Sequence, residues 1–138
     1  MASLIEELIT VLQSEDEIYQ KLIPIEEKKT QTIIKNDLQA LQEITEQEQR
    51  VVEQINALER KRQEVIINMA TVTNRKPETL NIKAIVELLK KQPKEHKELC
   101  SVHDSLKKTL KRLVQVNDQN KSLIEQSLEM IEFNMNLI

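Results

Sequence analysis

The stretch ITEQEQRVVEQINALERKRQEVIINMATV, residues 44–72, decides the fold. Ile44, Glu48, Val51, Ile55, Leu58, Arg62, Val65, Met69 and Val72 recur at alternating steps of four and three, the spacing of a helix with one apolar seam. Glu48 and Arg62 interrupt that seam with charge. At such positions they can pair across helices or fix register, and neither implies chemistry. A helix from about Asp37 to Asn74 would be ~57 Å long at ~1.5 Å per residue, a rod that needs partners along its length.

Working back from this helix, Asn36-Asp37 marks a boundary, since both residue types favour caps and turns. Before it, Leu4, Leu8, Val11, Ile18, Leu22 and Ile25 run beside a second row of Ile5, Leu12, Tyr19 and Ile33, which gives a broad buried stripe over about 3–35. Ser3 with Glu6 reads as a capping box at the start. Pro24 removes one backbone donor and predicts a kink.

Working forward, the periodicity lapses from Thr73 to Asn81, and Pro77 breaks the helix. Asn81 can cap a short amphipathic helix over 82–91, with Ile82, Ile85, Val86 and Leu89 on one side. Pro93 ends it and is suited to start a last helix, 94–138, because the first turn needs no donor there. The expected seam of that helix is Leu99, His103, Leu106, Leu110, Leu113, Asn117, Asn120 and Ile124. The expectation is an all-α single domain, 1–138, of long antiparallel helices in a coiled-coil-like hairpin or bundle with one short connecting helix.

Composition agrees. The 138 residues are 31% charged and 39% hydrophobic, with one Tyr, one Phe, no Trp and no Gly. Without glycine, phosphate-cradling loops and dinucleotide fingerprints are absent, which removes most nucleotide-binding enzymes. A single Cys gives no disulfide framework and favours a reducing, intracellular setting. No secretory signal and no ~18-residue apolar run is present, so no membrane span is expected. Residues 1–74 carry 8 basic and 14 acidic groups, 75–112 carry 11 and 5, and 113–138 carry 1 and 4. Such blocks can complement one another in a folded-back chain, and no basic face prevails over the whole molecule as nucleic-acid binding requires.

The segment SLIEQSLEMIEFNMNLI, residues 122–138, departs from an ordinary bundle. On a helix its apolar residues form two rows. One is Ile124, Leu128, Ile131, Met135 and Ile138, and the other is Leu123, Met130, Phe133 and Leu137. Glu125, Glu129, Glu132, Asn134 and Asn136 separate them. A helix that is apolar on two sides is enclosed in its own bundle, packed on a second copy, or offered to a partner helix. Met130 and Met135 suit a docking surface, because thioethers adapt to varied contours, and Phe133 supplies an aromatic anchor.

Other chemistry has little to stand on. His96, Cys100, His103 and Asp104 share one helical face, yet no further Cys or His exists to complete a metal site. His103 with Leu106 and Lys107 only loosely resembles the phosphotransfer pattern His-x-Leu-Lys-Gly, with both partners displaced and the glycine missing. A nucleophile–base pair from Cys100 and a histidine would lack oxyanion donors and a pocket. No catalytic residue, cofactor or metal is assigned. The alternatives to a binding function are a generic coiled-coil scaffold and a phosphotransfer bundle using His103.

Taken in order, EDEIYQKLIPIEEKKTQTI, then ND, then LQALQEITEQEQRVVEQINALERKRQEVI and finally NDQNKSLIEQSLEMI, the whole chain resembles the FlgN family of flagellar export chaperones. Asn117, Asn120, Leu123, Ile124 and Leu128 match the family's terminal pattern. The resemblance implies a cytoplasmic, non-enzymatic helical chaperone that holds hook-associated (hook–filament junction) proteins before type III secretion. It places client contact in the last helix, residues 117–138, against amphipathic terminal helices of the client, and extends to delivery at the membrane-embedded export gate. The partner-binding residues expected are Asn117, Asn120, Leu123, Ile124, Leu128, Met130, Ile131, Phe133, Met135 and Leu137.

Overall fold

The computed structural model describes the backbone of residues 2–136 and the side chains of residues 3–126. Three long helices are present: α1 (Ala2–Ile34), α2 (Leu38–Thr73) and α4 (Pro93–Asn136). A 3-10 turn over Pro77–Thr79 and the short α3 (Ile82–Leu88) join the last two.

The helix ends show how a chain without glycine turns corners. Asn36 (φ 55°) and Asn74 (φ 53°) are the described residues with positive φ. Asn36 sits two positions past α1 and Asn74 one position past α2. After α1, Asn36 N donates to Ile33 O and Asp37 N to Thr32 O. After α2, Asn74 N donates to Thr71 O and Arg75 N to Ala70 O. These paired bonds satisfy the last carbonyls of each helix and need a left-handed residue, which asparagine adopts more readily than other side-chain-bearing types. Asp37 then caps α2 by accepting from Ala40 N at 3.1 Å, and Asn81 caps α3 by accepting from Ala84 N at 2.8 Å.

Local expectations change in two places. Ala2 is already helical, so Ser3 lies inside the first turn of α1 and not at the cap. The short helix ends at Leu88, not Lys91, because Leu89, Lys90 and Gln92 bond back over three residues in tight turns ahead of Pro93. Helix α1 continues through Pro24, whose ring is exposed.

Side-chain contacts set the order of the layers. Glu15 meets Arg62, Tyr19 meets Glu59 and Lys29 meets Glu48, so α1 and α2 run antiparallel. Asp16 meets Ser105 and Thr109, and Asn120 meets Glu26 and Thr30, so α4 runs back beside α1 in the same direction. Helix α1 packs on both α2 and α4, and α3 packs on α4. The central helix is therefore the one with the broad stripe, and two apolar rows give it two faces to bury.

The main core lies at the end holding the start of α1, the end of α2 and the start of α4. Ile5, Leu8, Leu12, Val65, Met69, Ile85, Leu89 and Leu99 are fully enclosed there. Each such side chain contributes about 1.5–3 kcal/mol through burial. Two expected seams shift. In α2, Val72 is 60% exposed and Ala70 is buried in its place, because the seam bends toward α3 and Leu80. In α4, Val102, Thr109 and Val116 are buried, while His103 is half-exposed and Asn117 exposed. Asp16 of α1 accepts from Ser105 and Thr109, so α4 buries polar contacts beside Leu99, Leu106 and Asn120, which keep their expected places in the seam.

Charge complementarity also differs from the expected exchange between blocks. Among the described residues, Arg112 is the one group of the basic block 75–112 that forms an ion pair with another long helix, at 3.5 Å from Glu27. Lys90 pairs only with neighbouring Glu87. The other basic groups of this block are exposed and stay in water, where they lose no hydration.

Candidate functional site

The candidate site is the far half of α4, and its position follows from two buried polar contacts with α1. At the first, both oxygens of Asp16 accept hydroxyl hydrogen bonds, from Ser105 Oγ and Thr109 Oγ1 at 2.6 Å each. Gln20 Nε2 adds a third donor at 3.2 Å. A buried carboxylate held by three donors is satisfied, and the short O–H···O distances are those of charge-assisted bonds.

The second contact is at Asn120, which is 1% exposed. Its Nδ2 donates to the Glu26 carbonyl at 2.9 Å and to Glu26 Oε2 at 3.2 Å, and its Oδ1 accepts from the Thr30 hydroxyl. Glu26 is itself buried. Desolvation is the main cause that pushes its carboxyl up, with a hydrogen bond to Glu48 and the Glu48 charge adding, to about 7. Lys29 and Asn120 oppose the rise. Lys29 Nζ stands 3.1 Å from both Glu48 oxygens. A single polar node thus joins α1, α2 and α4, where the sequence alone suggested an ordinary seam position.

This placement separates the expected partner residues. Asn117 is exposed. Asn120 is enclosed between α4 and α1, because its amide completes the Glu26 and Thr30 groups, so a partner could touch it only after α4 moves. Leu123 and Ile124 are half-buried. Leu128, Met130, Ile131, Phe133 and Met135 are on α4, but their side chains lie outside the described residues, as does Leu137 altogether.

Register gives this end of α4 its character. Helix α1 ends at Ile34, one turn past Thr30, whereas α4 continues to Asn136, more than four turns past its contact at Asn120. At the same level the α1–α2 turn exposes Ile34 at 61% and Leu38 at 73%. Sequence reasoning missed these two. The only signal was that both flank the Asn36-Asp37 turn, where an apolar residue has no helix beside it.

The remaining candidates stay apart. Cys100 Sγ lies 4.0 Å from His96 Nε2, and His103 Nδ1 lies 4.0 Å from exposed Asp104. Among the described residues, no three His, Cys, Asp or Glu side chains come together as metal ligands. No described helix is long and apolar enough to cross a membrane.

Against known proteins, the family described as "FlgN protein" matches residues 1–138. No curated protein and no solved structure matches the chain significantly.

Proposed function

Because this chain belongs to the FlgN family, it is a flagellar export chaperone for hook-associated proteins, and from that premise we propose where and how it holds them. The family's chaperones are cytoplasmic and non-enzymatic, and membership implies binding of the hook-associated proteins FlgK and FlgL. The proposed client-binding segment is residues 117–138, within one helical domain spanning 1–138.

One observation carries this reading. Residues 122–138 have apolar residues in two rows, and α4 runs several turns past the level at which α1 and α2 end. A bundle helix needs one apolar stripe where it has neighbours. An export substrate has amphipathic terminal segments that reach their final partners only on assembly. Leu123, Ile124, Leu128, Met130, Ile131, Phe133, Met135 and Leu137 supply a temporary partner, helix against helix. Ordering the client segment subtracts several kcal/mol from the contact energy, which keeps the complex reversible. Delivery to the membrane-embedded export gate is proposed with it, as family resemblance implies, and a reversible complex is compatible with such a hand-over.

The segment is acidic, with Asp118, Glu125, Glu129 and Glu132 against Lys121. A client helix with Lys or Arg at its rim fits it, and charge there governs association rate more than lifetime. The test is the double variant Met130→Glu with Phe133→Glu, measured by calorimetric titration with purified FlgK and by circular dichroism. The expected result is unchanged helicity with client affinity lost. Unfolding of the free variant would mean that this row belongs to the chain's own core, and unchanged affinity would remove the segment from the site.

A further inference from the structure

Helix α1 packs on both α2 and α4, whereas α2 and α4 hardly touch one another, and the short α3 packs into the core only at one end. Past Ile82 the four helices part around a cleft of about 380 Å³. Its apolar surface comes from Leu12 of α1, Ile82 of α3, and Leu106 and Leu110 of α4. Arg62 of α2 with His103 and Lys107 of α4 completes the lining. Arg62 is paired with Glu15 at 3.0 Å, and His103 lies 4.0 Å from Asp104. Lys107 is exposed, and no described carboxylate pairs with it.

The α4 side of this cleft belongs to a face that runs on along the helix. Lys107, Leu110, Val114, Asn117, Lys121 and Ile124 follow at alternating steps of three and four. By sequence the same face continues as Leu128, Ile131 and Met135, one of the two apolar rows of the terminal segment. Val114, between the cleft and that row, is 56% exposed, an apolar side chain left in water. Charge along this face changes sign. Lys107 and Lys111 stand near the cleft, and Asp118, Glu125, Glu129 and Glu132 follow, with Lys121 the one base among them.

We propose that the client helix held by the terminal segment extends along this face of α4, past Val114, and seats an apolar side chain in the cleft with an Asp or Glu beside it to meet Lys107. This rests on the reading of residues 117–138 as the client site. Lys107 and Ile124 are 17 positions apart, about 26 Å along α4, a span that one amphipathic helix covers. Charge decides the polarity of the occupant. A client helix basic along its whole length suits Asp118 and Glu125 but is repelled at Lys107 and Lys111. One acidic throughout is repelled at the terminal segment. The occupant that suits both ends carries Lys or Arg toward the end of α4 and Asp or Glu toward the cleft. Leu12 and Leu106 are held by the core before any client arrives, so this end of the site needs little ordering on binding.

The experiment is calorimetric titration of full-chain variants with purified FlgK at about 0.05 M and about 0.5 M salt, with circular dichroism and sedimentation of each free chain. Lys107→Glu should weaken FlgK binding roughly threefold to tenfold at low salt, and the loss should fade at high salt. Lys108→Glu makes the same change in net charge at an exposed position on the other side of α4, and its affinity should stay within about twofold of the original. Val114→Gln removes an exposed apolar contact without altering charge, and should weaken binding about threefold or more at both salt concentrations. Equal losses in Lys107→Glu and Lys108→Glu, or full affinity in Val114→Gln, would overturn the cleft as a client contact. Self-association of the free chain that Val114→Gln abolishes would assign this face to a second copy and overturn it too. The double variant Met130→Glu with Phe133→Glu separates the two readings. If it loses FlgK while Lys107→Glu and Val114→Gln bind fully, the terminal segment stands and the cleft is overturned. If it binds FlgK fully while those two lose affinity, residues 117–138 are overturned as the client site.

Discussion

Arg62 Nη1 lies 3.0 Å from Glu15 Oε2, and this ion pair, with Lys29–Glu48 about four turns along, sets the register of α2 on α1. The Glu15 side chain is almost wholly buried, and its Oε1 has no hydrogen-bond partner. Burial, as the main cause, raises the Glu15 carboxyl above its ordinary range, Arg62 lowers it, and the Glu59 charge raises it. The pair is therefore costly to form and more costly to break.

Replacing Arg62 with Met leaves that buried charge unpaired and should destabilise the chain by about 2–4 kcal/mol at pH 8 in urea titration. The loss should be smaller at pH 5, where Glu15 can take up a proton. Adding Glu15→Leu should bring stability back to within about 1 kcal/mol of the original, since an apolar pair of similar volume removes the desolvation cost.

Global stability should fall as pH rises from about 4.5 to about 7. Glu26 is pushed above its ordinary value in the folded state, so the folded chain binds more protons than the unfolded chain in that window. Stabilisation by this group is complete below its unfolded pKa and is lost through its folded pKa. The raised Glu15 acts with the same sign. Urea midpoints measured at half-unit steps of pH should slope downward in the original chain, and Glu26→Gln should flatten most of that slope.

The two left-handed asparagines should show the cost of a missing glycine. Asn36→Ala or Asn74→Ala should each cost about 1 kcal/mol, because a Cβ without a local polar group disfavours positive φ. Glycine at either position should be neutral or stabilising. Thermal midpoints of the four single variants test this directly.

Core position should separate residues that share one expected seam. Met69→Ala, at a fully enclosed site, should cost about 2–5 kcal/mol through lost burial and a cavity. Val72→Ala should change stability by no more than about 0.5 kcal/mol, since Val72 faces water. Equal costs at the two sites in urea titration would contradict the bend of the α2 seam toward α3.

Much of the fold is legible in local chemistry. The heptad spacing over 44–72, the Asn-Asp turn, the Asn81 cap and Pro93 each act within one or two turns of chain, so they mark α2, the hairpin and the start of α4. Glu48 and Arg62 were readable as seam charges that pair across helices, and both do. The candidate site was less legible. Asn120 reads from sequence as an ordinary seam position and a partner-binding candidate, whereas the bonds that enclose it come from Glu26 and Thr30, about ninety positions away.

The sequence by itself determined which stretches are helical, where they turn, and that the final stretch is apolar on two sides. Period and capping are properties of neighbouring residues and need no tertiary partner. Only the packed structure decided that α1 is the central helix, that Asp16 holds α4 through Ser105 and Thr109, and that Glu26 closes a node shared by three helices. A helical period tells which side chains share a face. What that face meets is set by desolvation and hydrogen-bond satisfaction between segments far apart in the chain, and those costs exist only once the helices are together.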